Sequence, residues 1–133
     1  MEKKIINPDT IAPPVSKYSH AVRIDTGDTA FIFVAGQIAL DPQGNLVGEN
    51  DIARQTEFIF EQISTILKAA GGSLSDVVKA NIYTTDISQY DKVAAVRNRY
   101  FADSPPATTF VEVSKLVREG WMIEIEVVAA VQK

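Results

Sequence analysis

"TAFIFVAGQ", residues 29–37, reads as an extended strand with no polar side. Alternation puts Phe31, Phe33 and Ala35 on one side and Ile32, Val34 and Gly36 on the other, and both sets are apolar. A sheet with one side in water shows cleaner alternation than this, so both sides of this strand call for cover. "KYSHAVRID" (17–25) precedes it across a turn at Thr26-Gly27-Asp28, where the glycine permits the positive φ of a tight reversal; the pair is predicted to be a β-hairpin. "MIEIEVVAAV" (122–131) has the same mixed character. Ile123, Ile125 and Val127 form one side, and the other runs from Glu124 and Glu126 to Val128 and Ala130.

Between these strands the period changes. "DPQGNLVGEND" (41–51) is a loop of turn formers. From about Asp51 to Ala70 a helix is predicted, because Ile52, Thr56, Ile59, Ile63, Ile66, Leu67 and Ala70 fall on one stripe and Gly71-Gly72 ends it. "VVKANIYTT" (77–85) alternates as a strand. Ser88-Gln89-Tyr90-Asp91 fits a capping box opening a second helix, with an apolar face of Tyr90, Val93, Val96 or Arg97, and Tyr100. Pro105-Pro106 stops that helix, and "TTFVEV" (108–113) and residues 122–131 are the last strands. The order is ββαβαββ in a single domain spanning 1–133, with no repeat or flexible linker. Two helices cover only one face of such a sheet, which gives a two-layer α+β sandwich. The second face is then expected to pack on other copies in a closed homo-oligomer.

Composition narrows the function. A net charge of −4 and the absence of any basic run count against a partner with a phosphate backbone, so no nucleic acid is expected. The chain has no cysteine and one histidine, which removes disulfides, thiolate metal sites and His-rich metal sites. No Gly-rich phosphate loop is present, and no cofactor is implied. No window approaches the roughly 20 apolar residues of a membrane span, and the N-terminus lacks a signal-peptide pattern, so a cytoplasmic protein with no membrane partner is expected.

Few residues offer chemistry. Ser16 and Ser19 lie near His20, but no Gly-x-Ser-x-Gly elbow exists. His20 falls on the same strand side as Tyr18 and Val22 and reads as a hydrogen-bonded structural residue, with a general base as the other reading. Trp121, beside Gly120, reads as a packing residue at a strand edge or interface. Glu124 stands at the border of a hydrophobic strand face. Partial desolvation there raises a carboxyl toward useful acid–base values, whereas a solvated carboxylate paired with Lys or Arg is the alternative. Glu124, Thr108, Thr109 and Tyr18 all lie near strand ends and suggest a small polar pocket without naming a reaction.

The segments "PPVSKYSHAV", "FVAGQIALDPQGNLV", "DIARQTEFIFEQISTILKAAGGSLSDVVKANIYTTDISQY", "RNRYFADSPPATTFVEVSKL" and "IEIEVVAAV", in this order across residues 5–131, resemble the RidA/YjgF family. The resemblance implies a chorismate-mutase-like ββαβαββ fold, a homotrimer, and clefts between subunits that take small carboxylic acids. It also implies hydrolysis of reactive enamine/imine intermediates, of the 2-iminobutanoate or 2-iminopropanoate kind, to ketoacids and ammonia. By the same resemblance Glu124 matches the glutamate that positions the attacking water, and Tyr18 the tyrosine before "SQA", whose glutamine becomes His20. Gly36 matches the glycine of an "SGQI"-type motif with Ala35 in place of its serine, and Ser88 stands for an asparagine. Thr108 occupies the place of the arginine that grips the substrate carboxylate. A threonine hydroxyl offers one neutral hydrogen bond where a guanidinium offers two charge-assisted ones. Arg118, in "LVREGW", lies in a loop one residue longer than the family's and either folds back over the cleft or stays solvated. Two functions follow. One is a deaminase-type hydrolase acting on a small organic acid or imine, with Glu124 orienting water and Tyr18 closing the pocket. The other is a non-catalytic ligand-binding or regulatory trimer that uses the hydroxyls of Thr108, Thr109 and Ser88.

Overall fold

The chain reverses at Gly27, whose φ of 57° is the left-handed conformation a glycine adopts without strain. That turn joins β2 (Ala21–Thr26) to β3 (Thr29–Gln37), paired antiparallel with Val22 opposite Phe33 and Ile24 opposite Phe31. The computed structural model describes all residues 1–133. The remaining elements are β1 (Glu2–Ile6), α1 (Ile52–Ala69), β4 (Val77–Thr84), α2 (Tyr90–Tyr100), β5 (Ala107–Glu112) and β6 (Ile123–Gln132). The six strands form one sheet in the order β1-β2-β3-β6-β4-β5. Every neighbouring pair is antiparallel except β4 and β5, which α2 connects as a parallel crossover. Both helices pack on one face, so the two-layer α+β sandwich expected from the element order is what forms.

The helix stripe becomes the core. Ile52, Thr56, Ile59, Ile63, Ile66, Leu67 and Ala70 are all buried, together with Phe60, against Ile32 and Val34 of β3, Ile82 of β4 and Ile123, Ile125 and Val127 of β6. Each such aliphatic or aromatic side chain contributes about 1.5–3 kcal/mol when fully buried. Asp51 caps α1 by accepting from the Arg54 N–H at 3.1 Å. At the other end Gly71, with φ 88°, turns the chain out of the helix. Arg23 of β2 donates to the exposed Ala70 carbonyl at 2.7 Å while pairing with Asp25 at 2.8 Å. This cation sits at the negative end of α1 and fastens the helix to the sheet. It also holds the Asp25 carboxyl below the usual carboxylate range.

Three local features depart from the sequence reading. Residues 2–6 form the edge strand β1, which the sequence pattern did not indicate: its side chains are mostly exposed, so only the main-chain ladder to β2 defines it. Charged Glu2, Lys3 and Lys4 suit such an edge. The capping box at Ser88 does not form. Asp86 takes that role, accepting from the Ser88 N–H at 3.0 Å and the Ser88 hydroxyl at 2.6 Å, and a short 3₁₀ turn precedes α2 at Tyr90. A carboxylate is the stronger acceptor, and so the turn starts two residues earlier. Finally, β3 carries a bulge: Val34 pairs with Val127, but Gln37 pairs with Ile125. The extra residue reverses the strand's phase. Gly36, expected beside Ile32 and Val34, turns to the open face, and Gln37 turns into the helix layer.

The face opposite the helices is uncovered in a single chain. Phe31 and Phe33 are 36% and 46% exposed there, and Val111 of β5 is 40% exposed.

Candidate functional site

The bulge in β3 creates the site. It places Gly36 beneath the side chain of Glu124, where a Cβ would come within 2.7 Å of Glu124 Cδ. Only glycine lets the carboxyl lie flat over the strand. The two residues line a cavity of about 500 Å³ whose other walls include Tyr18, Tyr83, Arg118, Trp121 and Glu126.

Glu124 has no hydrogen-bond partner within the chain, and burial pushes its carboxyl above the usual range, with the charge of Glu126 adding to the effect. Glu126, two residues along the same face of β6, is engaged differently. It accepts from the Tyr83 hydroxyl at 2.5 Å and from the Asn81 amide at 3.2 Å. That hydrogen bond, with burial and the nearby carboxylates, pushes the Tyr83 phenol up to about 12. Tyr83 therefore stays a donor throughout the physiological range, and Glu126 is the occupied carboxylate of the pair. Glu124 is the one with free oxygens facing the cavity.

The cavity floor is a buried polar chain. His20 Nε2 donates to the Ala12 carbonyl at 2.7 Å, which leaves Nδ1 as the acceptor for the Gln37 amide at 3.3 Å. Gln37 also donates to the Ala35 carbonyl at 3.0 Å and accepts from Gln62 of α1 at 2.7 Å. No buried side-chain nitrogen or oxygen in the chain is left without a hydrogen-bond partner. His20 is buried and hydrogen-bonded, and these bonds tie the 12–20 loop, one wall of the cavity, to β3 and α1.

Trp121 is buried with Ala12, Ile38 and Leu40 in a small second core, as its packing role implied. The Arg118 guanidinium lies 6.0 Å over its ring. Tyr18 is 44% exposed at the rim. Four predicted site residues, Glu124, Tyr18, Gly36 and Arg118, thus meet in one cavity. The others do not. Parallel pairing of Thr108 with Ala80 turns Thr108 toward the helix side, where its hydroxyl donates to the Pro106 carbonyl at 3.1 Å and lines a separate hollow with Arg97 and Phe101. Thr109 does face the open side, but its hydroxyl accepts from Lys79 at 2.9 Å. Ser88 is committed to Asp86, and Ala35 lines a shallow hollow with Tyr18, Phe33 and Glu126. Within one chain the expected pocket joining the 108 and 109 hydroxyls to Glu124 and Tyr18 does not form. The sequence pattern does not single out Tyr83, Asn81, Glu126, Gln37 or Gln62 as site residues. The polar side of β4, Lys79-Asn81-Tyr83, was the signal available for the first two.

Comparison with known proteins agrees with this architecture. The sequence profile of the family described as Endoribonuclease L-PSP matches residues 10–131. A RutC family protein of Pyrococcus abyssi is 40% identical over 129 residues, covering 97% of this chain and 98% of its own. The crystal structure of a Yersinia pestis protein of unknown function from the conserved Rid protein family superposes with a TM-score of 0.87 at 33% identity, covering 98% of this chain and all of the other. The chain belongs to the RidA/YjgF family. Among its relatives in that family, the 3-aminoacrylate deaminase RutC of Acinetobacter baylyi is 37% identical over 131 residues, covering 98% of this chain and 100% of its own. No helix of this RidA/YjgF protein is long and apolar enough to cross a membrane.

Proposed function

We propose that this protein hydrolyses small enamine/imine intermediates to carbonyl compounds and ammonia in the cavity beneath Glu124. The observation that carries the reading is a lone carboxyl, unpaired and lifted above its ordinary range, over a glycine in a partly apolar cavity. Burial, then the charge of Glu126, raises this carboxyl, which makes it a better proton acceptor than an ordinary glutamate and leaves it able to return the proton. The enamine tautomerises to the imine, water adds to the imine carbon as Glu124 accepts its proton, and the proton passes to nitrogen. The carbinolamine then collapses: its hydroxyl proton passes to nitrogen, the C–N bond breaks, C=O forms, and ammonia leaves. One water is consumed per ammonia released, and no electrons are transferred. Full-length similarity to a 3-aminoacrylate deaminase supports the reaction class. The net charge of −4 argues against RNA as substrate despite the family's description.

The assembly in this proposal is a cytoplasmic homotrimer that covers Phe31, Phe33 and Val111. A second reading, a ligand-binding trimer without turnover, draws on Thr108, which brings no charge to β5 and spends its hydroxyl on Pro106. The two readings separate when a dehydratase generates 2-aminocrotonate and the release of 2-oxobutanoate and ammonia is followed. The hydrolase reading expects the protein to accelerate release above the spontaneous rate. Tight 2-oxobutanoate binding with no acceleration supports the second.

A further inference from the structure

We propose that Arg118 is the carboxylate-binding residue of this site, so that a small 2-oxo or 2-imino acid lies over Trp121 with its acid group on the guanidinium. The orientation of the reacting carbon toward Glu124 rests on the hydrolase reading; the binding role does not.

The chain has five arginines, and four are engaged. Arg23 holds Asp25 and the Ala70 carbonyl, Arg54 and Arg99 share Glu57, and Arg97 bonds Asn98 and the Tyr90 hydroxyl. Among the arginines only the Arg118 guanidinium makes no hydrogen bond or ion pair, although Glu119 is its neighbour and Glu124 lines the same cavity. It is also the only lysine or arginine on that cavity's wall. The Trp121 ring 6.0 Å away steadies the guanidinium through a cation–π contact and leaves its edge N–H groups free. That edge matches a carboxylate in a two-pronged geometry which a lysine cannot reproduce. An anion entering a cavity that already holds Glu124 and Glu126 needs such a cation. Glu126 is offset by Tyr83 and Asn81, and Arg118 supplies the remaining compensation.

The test is calorimetric titration of the full-length protein with 2-oxobutanoate and with its neutral amide, 2-oxobutanamide. Wild type should bind the acid more tightly than the amide. Arg118→Ala should weaken the acid about 10- to 100-fold and leave the amide unchanged, as loss of hydrogen bonds to a charged group implies. Arg118→Lys should recover part of the loss. Undiminished acid binding by Arg118→Ala, equal losses for acid and amide, or no acid binding by wild type would overturn the assignment. Arg118-dependent binding without ketoacid release would keep this inference and remove the hydrolase reading. Turnover and acid affinity both unaffected by Arg118→Ala would do the reverse.

Discussion

Gly36 and Glu124 are in direct contact across β3 and β6: a Cβ on Gly36 would lie 2.7 Å from Glu124 Cδ and 3.0 Å from Oε1. The atoms in the way belong to a side chain, so Gly36→Ala should displace the carboxyl rather than the backbone. The expected result is a nearly unchanged melting temperature with kcat for imine hydrolysis at least about tenfold lower, since small misplacements of a reacting group are costly. Circular dichroism melts and steady-state kinetics on the same preparation check both halves.

The pH behaviour of Glu124 has a definite sign. Burial, then Glu126, raises its carboxyl above 4.5 in the folded chain. The protonated form therefore fits the fold better, and the associated stability is present at low pH and lost as pH rises through the raised value. Glu124→Gln should melt higher than wild type at neutral pH, with the gap closing toward pH 4. As the ionised form accepts the proton from water, kcat/KM should fall on acidification with a midpoint above that of an ordinary glutamate. Glu126→Gln should move that midpoint down.

Phe60 joins the two helices. It is fully buried, stacked on Tyr100 at 4.9 Å and edge-on to Phe101 at 5.1 Å. Phe60→Ala should cost about 3–5 kcal/mol, measured by urea denaturation, because the hole opens between packed layers that cannot close over it.

Association is testable at Phe33, 46% exposed on the uncovered sheet face. Phe33→Glu should convert a trimeric sedimentation mass to a monomeric one while keeping the far-UV spectrum. A wild-type monomer at the same concentration would contradict the proposed assembly.

Much of this was legible in the chain because it depends on period. The α1 stripe from Ile52 to Ala70 and the two-sided apolar character of residues 29–37 led directly to the layers and the open face. Glu124 stood out as a carboxyl among Ile and Val. What alternation could not supply was the bulge, since one inserted residue exchanges the sides of Gly36 and Gln37 with no marked change of composition. The orientation of Thr108 was hidden for a related reason: it depends on the parallel register with Ala80, a pairing between segments far apart in sequence. The His20–Gln37–Gln62 chain was equally out of reach, because three separate elements bring it together.

The most direct measurement compares wild type with Glu124→Gln for ketoacid release from 2-aminocrotonate, alongside 2-oxobutanoate affinity. With Glu124 as the proton-transferring group, the variant should fall at least about a hundredfold toward the spontaneous rate while still binding the acid. A variant that releases ketoacid as fast as wild type would show that the chemistry lies elsewhere.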